Sequence, residues 1–207
     1  MTDADTRRPL RVALRERRRA VPVRERLDAA AALAAQLLPE LAGHAGRIAG
    51  YWAVGGELPL HAVQSALPAT LQWCLPLLHT DGRLRFAEWR AGEALATNRF
   101  GIPEPAGGAR FDAQDLAVVL VPLLAFDDHG QRLGQGGGWY DRSFAFCRAE
   151  DRTAGAASSS LDPAPRLIGI AYDWQRVERL DAGPWDVPLD AVATPSAFHH
   201  FERSAKA

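Results

Sequence analysis

The segment "RLGQGGGWYDR" (residues 132–142) places Gly134, Gly136, Gly137 and Gly138 within five positions, between Arg132 and the trio Trp139, Tyr140 and Asp141. Glycine loses more backbone freedom on folding than any other residue, so its concentration must serve geometry. The geometry it permits is positive φ and close approach. Successive backbone N–H groups can then point into one hollow, and at a helix start such groups gather an anion, phosphate above all. Arg132 adds a full charge and a fork that matches two phosphate oxygens. The same pattern also describes a tight strand-to-helix turn with no ligand. It is neither a P-loop nor a dinucleotide fingerprint: no G-x-x-x-x-G-K-[ST] runs through it, and Trp139 stands where the third glycine of G-x-G-x-x-G belongs. Asp141, expected in the first helical turn, either complements the helix dipole or holds Mg²⁺, which phosphoryl transfer commonly needs.

The elements that present this loop are legible around it. "DLAVVLVPLLAFD" (115–127) is the strongest strand signal, bounded by acids and interrupted by Pro122. Tyr140, Phe144 and Cys147 then recur at helical spacing. Upstream, residues 7–26 carry nine arginines and two glutamates, with Leu10, Ala13, Leu14 and Val21 as the apolar stripe of a helix ending near Pro22. A second helix is expected from Val23, with Leu27, Ala31, Ala34, Leu38 and Leu41 inward, closed by Gly43 or a turn earlier by Pro39. "RIAGYWAV" (47–54) reads as a buried strand, "LPLHAVQSAL" (58–67) as a short helix, and "TLQWCLPLL" and "RLRFAEW" as strands. "NRFGIPEPAGGARF" reads as a loop, and residues 151–165 as a surface loop of small residues. "RLIGIAYD" and "AVATP" are the last expected strands. Strands alternating with helices predict a three-layer α/β/α domain with a mostly parallel sheet, and no linker divides residues 1–207, so one domain is expected.

Composition narrows the function classes. The 207 residues are 47% hydrophobic and 24% charged, with a net charge of −1, which suits a soluble globular protein and offers no general attraction for nucleic acid or anionic membrane. No apolar run reaches membrane-spanning length and the N-terminal stretch lacks a secretory apolar region, so a cytoplasmic location is expected. Cys74 and Cys147 are far apart and read as reduced, buried thiols. His199 and His200 lack further ligands at metal spacing and read as exposed.

Five segments in order, "RRPLR", "YWAVGGELPL", "FGIPEP", "VPLLAFDDHGQRLGQGGGWYDR" and "IGIAYDWQRVERL…WDVPLDAVAT", resemble the 5-formyltetrahydrofolate cyclo-ligase family from about Arg7 to Thr194. The resemblance implies a monomeric enzyme that uses ATP and Mg²⁺ to close 5-formyltetrahydrofolate to 5,10-methenyltetrahydrofolate. It implies ATP contacts at Arg7, Arg11, Arg132, Gly134, Gly136, Gly137, Gly138 and Tyr140, with Arg132 and Gln135 at the reacting groups. Trp52, Glu57, Gln135, Gly136, Gly137, Gly138 and Trp139 are implied to meet the folate, and Asp141 and Asp186 to hold Mg²⁺. On their own, Glu57 reads as an exposed loop acid and Trp52 as a core residue. "FGIPEP" is expected to wall the folate site, stiffened by Pro103 and Pro105. Arg15, Arg18 and Arg19 are expected on a solvated helix face. Two rival functions are weaker. Sugar-phosphate isomerisation would need a positioned acid–base pair, which the sequence does not offer. A non-catalytic nucleotide- or RNA-binding module fits poorly with near-neutral charge and with Glu57, Arg132, Asp141 and Asp186 all in place.

Overall fold

Pro22 separates the first two helices, α1 (Asp3–Ala20) and α2 (Val23–Leu41), in a computed structural model that describes residues 3–148 and 164–201. The expected small-residue loop therefore lies, save its last two positions, outside the described residues. Along the chain follow β1 (Gly46–Ala49), α3 (His61–Ser65), β2 (Leu71–Leu78), β3 (Leu84–Glu88), β4 (Leu95–Thr97) and β5 (Pro103–Pro105). Then come β6 (Val118–Pro122), β7 (Ala125–Phe126), β8 (Arg132–Leu133), α4 (Trp139–Ser143), β9 (Arg166–Ile170), β10 (Ala191–Ala193) and β11 (Phe198–His200).

The central sheet runs β11-β10-β9-β6-β1-β2-β3, parallel from β10 through β2 and antiparallel at both edges. Its middle strand β6 is buried from Val118 to Val121, the continuous apolar run of a strand covered on both faces. One face packs against α2 and α3, where Leu33, Leu37, Leu41 and Val63 meet Ile48, Leu120 and Ile168. Each fully buried leucine there contributes about 1.5–3 kcal/mol. On the other face Phe144 and Cys147, from α4 and the 3₁₀ turn after it, join Leu116 and Val187 over Ala49, Val119 and Val121. The expected α/β architecture with a mostly parallel sheet is present, and among the described residues the helices on this second face are single turns. Cys74 and Cys147 are both buried. No helix among the described residues is long and apolar enough to cross a membrane.

Several local expectations change. The inward stripe of α2 is Ala30, Leu33, Ala34, Leu37 and Leu41, while Leu27 is exposed. Both stripes fit helical spacing and carry three leucines each, and the packing against the sheet selects the one with Leu33 and Leu37. Pro39 stays inside the helix, which ends before Ala42 rather than at Gly43. Strand β1 stops at Ala49; Gly50 still donates to Cys74 O at 3.0 Å and passes against the Trp73 ring, where an added Cβ would lie 2.0 Å from a ring carbon. Residues 50–57 leave the sheet as a loop instead. The "FGIPEP" loop contains β5, paired with β4 as an isolated ribbon whose prolines sit where no further strand needs an N–H. His199 and His200 belong to β11, which the sequence reading omits; His199 packs its ring 5.7 Å from that of Phe126.

Candidate active site

Strands β1 and β6 are parallel neighbours whose onward connections leave in opposite directions, β1 to β2 and β6 to β9. Such a reversal opens a crevice beyond the carboxyl ends of the strands, where ligands of open α/β sheets bind. Here it holds a cavity of about 990 Å³. Its walls include the 50–57 loop after β1, the glycine loop after β8 and the inner face of α1, with the β2–β3 hairpin, the 98–104 segment, Trp185 and Asp186 completing them.

The glycine loop is pinned from outside through its carbonyls. Arg11 Nε donates to Gly134 O at 3.0 Å, Arg15 donates to Gln135 O, and Arg142 donates to Gly137 O at 2.9 Å and to Gly82 O at 2.8 Å. Gly136 and Gly138 have φ of +98° and +65°, a region that side chains disfavour. The sequence expectation of a helix start supplying positive charge is corrected: α4 is one turn long, so its dipole is small. Positive charge at the loop comes from Arg11, Arg15, Arg132 and Arg142.

Arg132 is buried and donates from its guanidinium to Asp141 Oδ1, which also accepts from Val187 N at 3.2 Å. Its Nε is buried without a hydrogen-bond partner, a donor left unmet beside the cavity. Asp186 Oδ2 accepts from Arg7 at 2.9 Å and from Gly183 N at 2.8 Å. The Val187 contact thus brings the two aspartates to one wall, each beside an arginine. Tyr140, half-buried, stacks its ring on Phe144, and its phenol is pushed up by loss of water and then by Glu57.

At the far end stands Glu57, 8% exposed, so the exposed-acid reading fails. Val54 N donates to its Oε2 at 3.1 Å, Gln135 Nε2 lies 3.4 Å from its Oε1, and Arg18 lies 3.4 Å from the same oxygen. Burial pushes the carboxyl up, opposed chiefly by the charge of Arg18. Trp52 is half-exposed at the rim with its ring 5.8 Å from that of Trp89, so it is not a core residue. Phe100 and Trp139 meet edge to face across the opening, and Phe100, Ile102 and Glu104 line it, as expected of "FGIPEP".

The fourteen positions named from sequence therefore gather in one place; all but Arg7 line the cavity, and Arg7 reaches it through Asp186. The expectation for Arg15 and Arg18 is overturned. Arg18 is 3% exposed and donates to the carbonyls of Gly55 and Leu123, and Arg15 holds Gln135 through both its backbone and side-chain oxygens. Arg19 is exposed but borders the opening. The missed signal was periodic: Arg7, Arg11, Arg15 and Arg18 follow one another at spacings of four, four and three, along the face that carries Leu14. Tyr172 and Gln175 are structural, the first donating to Gly56 O and the second to Leu123 O and Leu124 O.

No group of three or more metal-ligating side chains occurs among the described residues. Asp141 and Asp186 nonetheless suit Mg²⁺, which takes one or two carboxylates and fills its other positions with phosphate oxygens and water. Among the described residues their Oδ2 and Oδ1, respectively, accept no hydrogen bond.

The model of the 5-formyltetrahydrofolate cyclo-ligase family matches residues 3–195. The chain is 32% identical over 195 residues to the 5-formyltetrahydrofolate cyclo-ligase of Escherichia coli K12, covering 88% of this chain and 97% of that protein. It is 35% identical to the Haemophilus influenzae protein of the same name over 147 residues, 69% of this chain and 72% of the other. Its fold is similar to the structure of Aquifex aeolicus 5,10-methenyltetrahydrofolate synthetase, with a TM-score of 0.76 and 25% identity over 97% of this chain and 95% of that one.

Proposed function

Because the chain belongs to the 5-formyltetrahydrofolate cyclo-ligase family, we propose that it couples ATP to the closure of 5-formyltetrahydrofolate, giving 5,10-methenyltetrahydrofolate, ADP and phosphate. The formyl oxygen is an amide oxygen and a poor leaving group. Transfer of the γ-phosphoryl group to it, with departure of ADP, makes an activated imidate phosphate. The neighbouring bridge nitrogen of the folate then bonds to the formyl carbon and loses its proton to solvent. The carbon–oxygen bond breaks, and phosphate leaves with that oxygen. No nucleophilic side chain is needed; the protein aligns the two substrates, neutralises charge and excludes water.

The residues divide between these tasks. Arg7, Arg11, Arg132, Tyr140 and the glycine-loop N–H groups bind the nucleotide, with Arg132 and Gln135 nearest the transferred group. Glu57 accepts hydrogen bonds from the amino-pyrimidinone edge of the pterin, while Trp52 and Trp139 pack against the flat rings. Asp141 and Asp186 would hold Mg²⁺, which would supply positive charge against that of the phosphate groups. We read residues 1–207 as one domain acting as a cytoplasmic monomer. The observation that carries the reading is the bridge made by Gln135: one residue of the glycine loop lies 3.4 Å from Glu57, so the phosphate-binding and pterin-binding ends share a single cavity. Purified protein with ATP, Mg²⁺ and 5-formyltetrahydrofolate is expected to develop the absorbance of the conjugated methenyl cation. ATP binding without that product would refute it.

A further inference from the structure

Glu57 must stay ionised and aimed if it is to accept two N–H donors from one edge of a ring. It does so where water is nearly excluded, on a loop containing two positive-φ glycines, Gly55 and Gly56. Arg18 answers both needs. Its guanidinium lies 3.4 Å from Glu57 Oε1 and is held in turn by Gly55 O at 3.1 Å and Leu123 O at 3.3 Å. Gly56 rests directly on the Arg18 backbone, where an added Cβ would fall 2.2 Å from the Arg18 carbonyl oxygen. The loop that bears Glu57 is thus seated on α1 by main chain and by side chain at one residue.

We propose that Arg18 is a positioning residue for the folate end of the site, holding Glu57 as an aimed carboxylate that selects ligands with paired N–H donors on one edge, as in a 2-amino-4-oxopyrimidine. This rests on the reading of Glu57 as the pterin acceptor. Carboxylate Oε2 takes one N–H from Val54, and Oε1 faces both Gln135 and Arg18. With roughly four lone-pair sites on a carboxylate, acceptor capacity remains for a ligand. The charged and titratable groups around the pair are Arg15 on α1, Tyr51 on the loop's own segment, Tyr140 on α4 and Tyr172 after β9. The tyrosines stay neutral through the working range, since loss of water pushes each of the three phenols up. Arg18 is therefore the cation that faces Glu57 closely enough to oppose its burial.

Arg18→Met keeps most of the side-chain volume and removes the charge. It is expected to raise KM for 5-formyltetrahydrofolate about tenfold or more, the scale for losing one partner of a buried charge pair, with KM for ATP within about twofold. The sign of the pH effect follows from burial, which raises the Glu57 carboxyl and is no longer opposed. Glu57 then takes up a proton at higher pH, so the acid limb of kcat/KM for the folate moves upward in pH. Arg18→Lys, which restores charge without the fork, recovers part of the affinity and returns the acid limb toward its original position. The Arg18→Met, Glu57→Gln double variant is no worse than Glu57→Gln alone, because one residue acts through the other. Impaired Glu57→Gln beside an unaffected Arg18→Met overturns the proposal alone, as does a double variant showing the product of both defects. Unchanged folate KM in Glu57→Gln overturns the reading of Glu57 and the proposal with it. If Arg18→Met does not fold, Arg18→Lys decides: a wild-type acid limb and wild-type folate KM there overturn the role of the fork in aiming Glu57.

Discussion

Replacing Arg132 by alanine removes a buried guanidinium that lines the cavity, holds Asp141 and has one N–H without a partner. A forked contact with phosphate makes two charge-assisted hydrogen bonds, each worth about 1.5–3 kcal/mol. Arg11 and Arg15 remain nearby and water fills part of the gap, so the lower end applies: about 3–4 kcal/mol, or a fall of roughly 10²–10³ in kcat/KM for ATP. Folding suffers much less. Asp141 is 18% exposed at its side chain and keeps the N–H of Val187, so it can regain solvation. A loss of about 1 kcal/mol is expected for such a partly solvated pair, which lowers Tm by about 2–4 °C in a chain of this size. Arg132→Lys keeps charge but not the fork, and is expected to stay within about tenfold of wild type. Steady-state kinetics with ATP varied at saturating folate, together with thermal unfolding of each variant, tests all three expectations. An alanine variant within about threefold of wild type for ATP would remove Arg132 from the nucleotide site, whatever its Tm.

Two further substitutions probe other parts of the site. Gly56→Ala drives a Cβ onto main-chain atoms of Arg18 at 2.2 and 2.8 Å while φ is +83°, and is expected to cost about 3 kcal/mol or more. Urea unfolding reads that loss, with folate KM rising more than ATP KM; an unchanged midpoint would contradict the close seating of the loop. Asp186→Asn should raise the Mg²⁺ concentration for half-maximal rate by about tenfold or more, since even an outer partner of a bound metal gives losses of that order. An unchanged Mg²⁺ dependence would take Asp186 out of the metal set.

The sheet was legible because fully buried strands leave long apolar runs, and "VVLVP" and "RLIGI" do so plainly. The candidate site was legible because glycine, arginine and aspartate crowd into one segment. What escaped was decided by tertiary partners. "RIAGYWAV" is apolar enough for a longer strand, but beyond Gly50 the chain turns away into a loop held by the Tyr51–Leu58 and Val54–Glu57 hydrogen bonds. Helix α2 carries two overlapping apolar stripes, and only the neighbouring sheet selects between them. Arg18 was assigned to solvent because an arginine-rich helix normally keeps its charges wet; its acceptors, the carbonyls of Gly55 and Leu123 and the acid of Glu57, lie 37 or more residues away. Strand β11 has three residues and, among the described residues, pairs with β10 alone, a hairpin too short to announce itself.

Helix α1 is synthesised before the segments it grips. Arg11 waits for Gly134, 123 positions downstream; Arg15 waits for Gln135, 120 positions on; and Arg18 waits for Leu123, 105 positions on. Closing such long spans is slow, and sequences dominated by distant pairings fold late in those regions. These contacts of the cationic opening helix can close only once the later parts of the chain exist, and closing them brings Arg11, Arg15 and Arg18 onto the cavity wall.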